Sequence, residues 1–284
     1  MRAVVTGGGG FVGRHLVRRL GAEGWDVVPL GREQVDLADP VAAGAAVRAA
    51  DPDVVFSLAA GRAKATRAER AATVAVNTSP WLVDALPDRC RVVVRLGSST
   101  EYAASSGPLT ERSPLEPRGF FGATKAAGSL LLQAAAAERG IRSAVLRAFQ
   151  VYGPGDHPTR LVPVVLDAAR TGAAVPLPSH VSRRDWVWVG DVVDACVRAA
   201  AADDLSPGAV LNIGTGVQTS TEELVETAAR VTGRPIATAA GAHPGRHWDT
   251  ADWVCDPAAA RRQLGWVPTV DLAEGLARSW AARP

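Results

Sequence analysis

Apolar runs and helical patterns alternate along the first half of the chain. The runs predict strands at Val4–Val5, Trp25–Leu30, Asp53–Leu58, Arg91–Leu96 and Ser143–Phe149. Apolar residues recurring every three or four positions predict helices at Phe11–Leu20, Val41–Ala50, Ala71–Leu86 and Ala123–Glu138, the last closed by Gly140. Strands of continuous valine and leucine separated by helices indicate an α/β fold. Its doubly wound parallel sheet is buried on both faces, with right-handed crossovers.

The pattern changes after Tyr152, where a Gly-Pro-Gly-Asp-His-Pro loop occupies residues 153–158. The remainder has shorter elements: a strand at 186–189, a helix at 192–200, a strand at 211–213 and a helix at 221–231, capped by Ser220 or Thr219. We expect one domain over residues 1–152 with a return segment near 185–213. Residues 153–184 and 214–284 are expected to form a smaller C-terminal lobe.

Composition narrows the class of protein. Of the 284 residues, 47% are apolar and 21% charged, which is typical of a globular chain and not of a disordered one. A net charge of +2 gives no basic footprint for nucleic acid, and no run of about 18 apolar residues would span a membrane. The three cysteines are far apart and have no metal-ligand spacing. We therefore expect a cytoplasmic protein with no metal, nucleic-acid or membrane partner.

The strongest local signal is the glycine-rich run from Thr6 to Gly13, which follows the first strand and opens the first helix. Its spacing is G-x-x-G-x-x-G: two glycines allow a tight turn close to a pyrophosphate, and the third allows close helix–strand packing. The helix N-terminus then offers N–H groups to the phosphates. The run thus predicts a Rossmann-type dinucleotide site, with cofactor contacts at Gly7, Gly10, Phe11, Val12 and Gly13.

The end of the second strand bears on the choice of dinucleotide. An acidic residue there would bind the adenosine ribose hydroxyls, whereas an arginine suits a 2′-phosphate. The strand ends Pro-Leu-Gly-Arg at Arg32, with no carboxylate. NADP(H) is therefore favoured, and NAD(H) stays open. Asp36, followed by Leu37, either lies beside the adenine amino group or caps the following helix.

A series of short motifs resembles the extended short-chain dehydrogenase/reductase family, the nucleotide-sugar epimerases, dehydratases and reductases. The resemblance runs in order over nearly the whole chain, and it rests on residues 6–13, 53–60, Asn77, 147–155, 184–186, 212–216 and 264–266. It implies a nicotinamide dinucleotide cofactor, contacted also by Leu58, Ala59, Ala60, Asn77 and Lys125. It further implies a nucleotide-sugar substrate and a homodimer formed through the helices Ala71–Leu86 and Ala123–Glu138.

In that family a Tyr-x-x-x-Lys pair and an upstream Ser or Thr carry out the chemistry. Lys125 matches the lysine, which holds the nicotinamide ribose and lowers the pKa of the tyrosine. Ser98 best matches the hydroxyl residue that binds the reacting oxygen. Ser99 and Thr100 lie within a one-residue ambiguity of it.

The tyrosine itself is missing, because position 121 is Phe and cannot pass a proton. Three explanations stay open: another proton donor, binding without catalysis, or a deliberate Tyr→Phe change. Thr100, Glu101 and Tyr102 are candidates for the replacement donor.

On the substrate side, the resemblance assigns Arg184 to the diphosphate, for which bidentate arginine contacts are suited. Gln150 replaces the usual Asn. Near the C-terminus, His243 stands where the family has a second arginine, and Arg246 is the candidate substitute.

Three functions follow from these residues. The first is an NADPH-dependent ketoreductase acting on a dTDP-4-keto-6-deoxyhexose, favoured by the missing acid at the second strand and the short chain. The second is a nucleotide-sugar 4-epimerase or dehydratase using bound NAD. The third is a non-catalytic dinucleotide-binding sensor, to which Phe121 points and against which Ser98, Lys125 and Arg184 count.

Overall fold

The computed structural model describes residues 1–61, 66–179, 182–242 and 252–283. Its centre is a six-stranded sheet in which every adjacent pair of strands is parallel. The order across the sheet is β2 (Asp26–Leu30), β1 (Arg2–Thr6), β3 (Val54–Ser57), β4 (Val92–Ser98), β5 (Arg142–Ala148) and β9 (Ala209–Ile213). The predicted α/β fold with a doubly wound parallel sheet is confirmed.

Helices cover both faces of this sheet. They are α1 (Phe11–Ala22), α2 (Pro40–Ala50), α3 (Arg67–Thr78), α4 (Phe120–Arg139), α6 (Val189–Ala201) and α8 (Ala258–Leu264). Consecutive residues of β1 pack on opposite faces of the sheet. Val5 lies in the core formed with α1, α6 and α8, whereas Val4 lies in the core formed with α2 and α4. Side chains alternate along a strand, so a sheet covered on both sides needs a continuous apolar run.

Helix α3 ends earlier than the sequence pattern predicts. It was expected to run from Ala71 to Leu86, but it stops at Thr78 and residues 80–85 form turns. Ser79 adopts a left-handed conformation with φ 43°, and Pro80 follows it. Proline disfavours the helical conformation in the residue before it and has no N–H to continue the helix. The prediction of a helix to Leu86 was therefore wrong at its C-terminal end.

The second half of the chain builds a smaller group of elements. One sheet joins β6 (Gln150–Tyr152), β8 (Arg183–Trp188) and β10 (Gln218–Ser220), and a second joins β7 (Val175–Leu177) with β11 (Thr238–Ala240). Helices α5 (Leu161–Thr171), α7 (Thr221–Thr232, capped by Ser220) and α9 (Leu272–Ala281) pack against them. Of the segment near 185–213, α6 packs on the large sheet and β9 joins it, whereas β8 pairs with β6 and β10. The division at residue 152 stays a prediction.

The loop that leads into this second group is attached to helix α1. The His15 ring nitrogen Nε2 lies 2.9 Å from the carbonyl oxygen of Pro154, and Arg14 donates to the carbonyl of Gly155 at 3.0 Å. Because α1 begins at the glycine-rich loop, these contacts bring the second-half elements next to the predicted cofactor site.

Candidate active site

The glycine-rich loop has a backbone that side chains would block. Gly7 has φ 72°, and a Cβ there would lie 2.7 Å from the Cα of Ala59. A Cβ on Gly13 would lie 2.8 Å from the carbonyl carbon of Gly7 and closer still to its oxygen. The Gly10 N–H donates to that same oxygen at 2.9 Å, closing the turn. The loop therefore needs glycine at positions 7 and 13.

The N-terminus of α1 is available to an anion. Gly10 is its N-cap, and no side chain in the described chain caps the first turn. The backbone N–H groups of Phe11, Val12 and Gly13 are the ones that such a helix start leaves without intrahelical partners. These donors and the helix dipole suit a dinucleotide pyrophosphate, so the loop fits the cofactor that its sequence predicts.

A cavity of about 420 Å³ lies beyond the end of β2, where adenosine binds in such sheets. Its lining comes from the loop after β2, the loop after β3 and helix α3: Arg32, Asp36, Ala38, Gly61, Glu69, Ala72, Thr73 and Val76. Arg32 is exposed there, and Leu37 is buried behind the loop. The predicted pair Arg32 and Asp36 thus lies together at one opening.

Asp36 does not cap the next helix. Within the part of the chain that the structure describes, its carboxylate accepts from the Ala38 N–H at 2.9 Å, whereas Asp39 accepts from the N–H groups of Val41 and Ala42 at the start of α2. The capping alternative for Asp36 is therefore wrong. Asp36 lines the cavity, and its placement beside adenine stays a prediction.

The loop after β3 forms one wall of the cofactor site and is held by Asn77. Leu58 is buried, Ala59 follows beside Gly7, and Ala60 comes next along the chain. The Asn77 amide accepts from the Gly61 N–H at 2.8 Å and donates to the Gly61 carbonyl and to the Thr124 hydroxyl. Both of its donors are used within the protein, so Asn77 shapes this wall; direct cofactor contact by Asn77 stays a prediction.

The predicted hydroxyl residues lie at the other end of the site, where β4 ends at Ser98 and the 3₁₀ turn Ser99–Glu101 follows. Ser98 is half-buried, and its Oγ lies 2.8 Å from the Oγ1 of exposed Thr100. Ser99 is buried in the 3₁₀ turn Ser99–Glu101. Of the three candidates, Ser98 and Thr100 therefore present hydroxyls that a ligand can reach.

Lys125 lies on α4 beside the same strand, with Phe121 one turn before it. The Lys125 side chain is 3% exposed, and its Nζ donates to the carbonyl of Leu96. Burial, together with repulsion from the Arg95 guanidinium, lowers the pKa of Lys125 to about 7, although Glu101 opposes the shift. Phe121 is partly buried and contributes no hydroxyl.

Glu101 and Tyr102 are not available as replacement proton donors. The Glu101 carboxylate is fully buried and accepts from Arg147 Nε at 2.8 Å. The Tyr102 hydroxyl donates to Asn212 Oδ1 at 2.7 Å, and burial raises the pKa of Tyr102 to about 12. Thr100, the third candidate, is exposed, and a donor role for its hydroxyl stays a prediction.

The sequence reasoning missed Arg95, which is 2% exposed at the centre of β4. Its signal was visible: one arginine interrupts the apolar run Val-Val-Val-Arg-Leu at residues 92–96. Such a strand is expected to be apolar throughout.

The predicted substrate residues lie on neighbouring strands of the second group. Gln150 on β6 is in register with Trp186 of β8, and Arg184 lies two positions earlier on β8. Both are half-buried. Arg246 and His243 lie outside the described residues. Within the described ranges, no cluster of three or more His, Cys, Asp or Glu is arranged for a metal ion.

Comparison with known protein families gives a match: the model of the NAD dependent epimerase/dehydratase family matches residues 3–214. The chain belongs to this family. The prediction of an extended short-chain dehydrogenase/reductase is thereby confirmed, and with it a family of nucleotide-sugar epimerases and dehydratases. No described helix of this family member has the length and apolar character needed to cross a bilayer.

Two curated relatives match over nearly their whole length. UDP-glucose 4-epimerase of Mycolicibacterium smegmatis is 32% identical, covering 98% of this chain and 97% of the relative. The dTDP-6-deoxy-L-talose 4-dehydrogenase (NAD(P)(+)) of Kitasatospora kifunensis is 30% identical, covering 99% and 95%. Among solved structures, MoeE5 in complex with UDP-glucuronic acid and NAD superposes with a TM-score of 0.86. It is 29% identical, over 99% of this chain and 98% of MoeE5.

Proposed function

We propose that the protein is an NADPH-dependent reductase of a nucleotide-linked 4-keto-6-deoxyhexose, of the dTDP-4-keto-6-deoxyhexose type. The observation that carries this proposal is Arg32 at the opening of the adenosine cavity, with no carboxylate at the end of β2. A guanidinium there pairs with the 2′-phosphate that distinguishes NADPH from NADH. A net reduction consumes one reduced dinucleotide in each turnover, so the oxidised form must leave and fresh NADPH must bind.

The chain's own residues account for binding and orientation. The glycine-rich loop and α1 hold the pyrophosphate, Lys125 holds the nicotinamide ribose, and the Ser98 hydroxyl donates to the sugar carbonyl oxygen. When bound, the reduced nicotinamide supplies a hydride to the carbonyl carbon. Gln150 and Arg184, on adjacent strands, are placed to bind the sugar and its diphosphate.

The name of the Kitasatospora relative supports this reaction class. That protein is a 4-dehydrogenase of a dTDP-6-deoxyhexose with NAD(P)(+). Oxidation at a sugar C4 is the reverse of the reduction proposed for this chain.

A second candidate is a nucleotide-sugar 4-epimerase or dehydratase that retains NAD. The Mycolicibacterium relative is a UDP-glucose 4-epimerase, and MoeE5 was solved with NAD. Such an enzyme would carry NAD through purification and would consume no added NADPH. A third, a non-catalytic dinucleotide sensor, would bind NADPH without turnover.

The deciding experiment follows NADPH absorbance at 340 nm with dTDP-4-keto-6-deoxyglucose as substrate. Consumption of NADPH with one equivalent of reduced sugar formed supports the reductase. Sugar interconversion without loss of NADPH would show an epimerase or a dehydratase. Tight NADPH binding with neither result would show a sensor.

The Arg32 assignment has its own test, because replacement of one phosphate-binding arginine removes a charge-assisted hydrogen bond. We expect Arg32→Gln to weaken NADPH binding by about tenfold to a hundredfold and to leave NADH affinity unchanged. Titration calorimetry with both dinucleotides measures this. Arg170→Gln, an exposed arginine on α5, is the control. Equal losses for the two dinucleotides would contradict a 2′-phosphate contact.

A further inference from the structure

Four charged side chains are buried together beneath the nicotinamide end of the site. Arg95, Lys125 and Arg147 are each at most 3% exposed, and Glu101 is fully buried. Three cations therefore share one carboxylate. An unpaired charge inside a protein is costly. The cation that pairs with the Glu101 carboxylate is therefore the one that keeps its proton most firmly.

Glu101 is committed to other groups. One carboxylate oxygen accepts from the Ser98 N–H at 2.9 Å and the Ser129 hydroxyl at 3.0 Å, and the other accepts from Arg147 Nε. Lys125 makes its hydrogen bond to the neutral carbonyl of Leu96 instead. Lys125 is thus buried without a carboxylate partner of its own among the described residues.

Arg95 lies directly beside this lysine. It precedes Leu96 on β4, and its guanidinium donates to the carbonyl of Asn77 at the end of α3. It also lies against Gly128, three residues after Lys125 on α4, where an added Cβ would be 2.8 Å from the Arg95 Cζ. Among the described residues, Arg95 Nε has no hydrogen-bond partner. Its positive charge therefore stays close to Lys125, with no carboxylate hydrogen-bonded to it among the described residues.

We propose that Lys125 supplies the proton that a tyrosine at position 121 would have supplied, and that Arg95 is the positioning residue that makes Lys125 release it. The inference rests on the proposed reduction. As the carbonyl carbon takes up the hydride, its oxygen gains negative charge; one Lys125 N–H bond breaks and an O–H bond forms on the sugar. Lys125 is left as a neutral amine and regains its proton from water.

The missing tyrosine and the buried arginine on β4 then have one explanation. Phe121 removes the usual acid, and Arg95 places a positive charge next to the residue that takes over. The charged groups facing Lys125 are Arg95 from β4 and Glu101 from the 3₁₀ turn. Arg147 of β5 acts on Lys125 indirectly, because it forms an ion pair with Glu101. Asn77 from α3 is neutral. Burial, and after it repulsion by Arg95, favours the neutral amine, which brings the proton affinity of Lys125 into the range of a general acid near neutral pH.

The first test needs neither cofactor nor substrate. The chain has only two lysines, Lys64 and Lys125, so a Lys64→Arg variant with isotope-labelled lysine gives a single side-chain NMR signal. We expect that signal to titrate near pH 7, and its midpoint to rise by at least one pH unit in Arg95→Met. Arg95→Lys, which keeps the charge, should leave the midpoint within half a unit. Arg139→Met on the same helix is the control. An unchanged midpoint in Arg95→Met, or a starting midpoint above 9.5, would overturn the role of Arg95.

The second test follows turnover. Because the protonated lysine is the active form, kcat should fall as pH rises through the Lys125 midpoint, and Arg95→Met should move this limb to higher pH by the NMR shift. Phe121→Tyr should change kcat at pH 7 by less than tenfold. A hundredfold rise would show that a tyrosine site was merely vacant, contrary to the proposal. Absence of any turnover would count against the reductase function, and the NMR titration would still decide whether Arg95 controls Lys125.

Discussion

Arg147 and Lys125 are both buried near the Glu101 carboxylate, but their pKa values shift in opposite directions. Burial by itself lowers the pKa of Arg147, but attraction to Tyr102 and Glu101 outweighs it, and the pKa is raised. The Arg147 guanidinium also lies 4.6 Å from the centre of the Tyr102 ring, a cation–π distance. For Lys125, burial and repulsion by Arg95 outweigh the attraction to Glu101, and its pKa falls. Arg147 thus acts as a permanent structural charge, and Lys125 is the cation whose proton can move.

At the residue scale, the glycine loop gives a stability prediction. Gly13→Ala forces a methyl group against the carbonyl of Gly7, whereas a Cβ on Gly9 meets nothing within 4 Å. Overpacking of this kind costs about 1–3 kcal/mol. We expect Gly13→Ala to lower the free energy of unfolding by that amount and to abolish dinucleotide binding. Urea denaturation with Gly9→Ala as control measures the first effect, and equal stability of the two variants would contradict the packing argument.

At the scale of elements, α4 approaches its neighbours closely through small residues. A Cβ on Gly122 would lie 3.1 Å from the Thr100 carbonyl carbon, and Gly128 leaves the space that Arg95 fills. The sequence predicted this helix and its end at Gly140, where φ is 64°. It did not show which residue of another element each glycine faces, because that depends on how α4 lies across the sheet.

Two nearby aspartates are expected to have different roles: Asp39 caps α2, whereas Asp36 lines the proposed adenosine cavity. Asp39→Ala removes the two N-terminal hydrogen bonds and should cost about 1 kcal/mol of unfolding free energy with no change in dinucleotide affinity. Asp36→Ala should do the opposite, leaving the unfolding midpoint nearly unchanged and weakening binding about tenfold, through loss of one hydrogen bond. Thermal unfolding and calorimetry on both variants provide the check. A loss of stability confined to Asp36→Ala would contradict the assignment.

At the scale of the whole molecule, the predicted homodimer has a candidate face. Leu130 and Leu131 on α4 are 53% and 45% exposed, and Val74 on α3 is 40% exposed. We expect Leu131→Glu to halve the mass measured by light scattering, because a buried unpaired carboxylate is costly. Val267→Glu, at 44% exposure between α8 and α9, should leave the mass unchanged. A single unaltered mass for both variants would rule out association through this face.

Whole-chain architecture followed from local patterns to a large degree. Continuous apolar runs predicted β1 to β5 within about two residues, since a strand buried on both faces admits few polar side chains. The end of α3 was predicted wrongly, although Pro80 was visible, because apolar residues continue at helical spacing into the turns beyond it.

The sequence by itself determined the parallel sheet, the glycine loop, Lys125 and the absence of a tyrosine at position 121, because each depends on residue type and local spacing. Only the tertiary structure decided that Glu101 pairs with Arg147, that Tyr102 is engaged by Asn212, and that Arg95 stands beside Lys125. These contacts join residues far apart in the chain. Their energetics depend on burial and on which groups share one carboxylate, and neither quantity is written in local sequence.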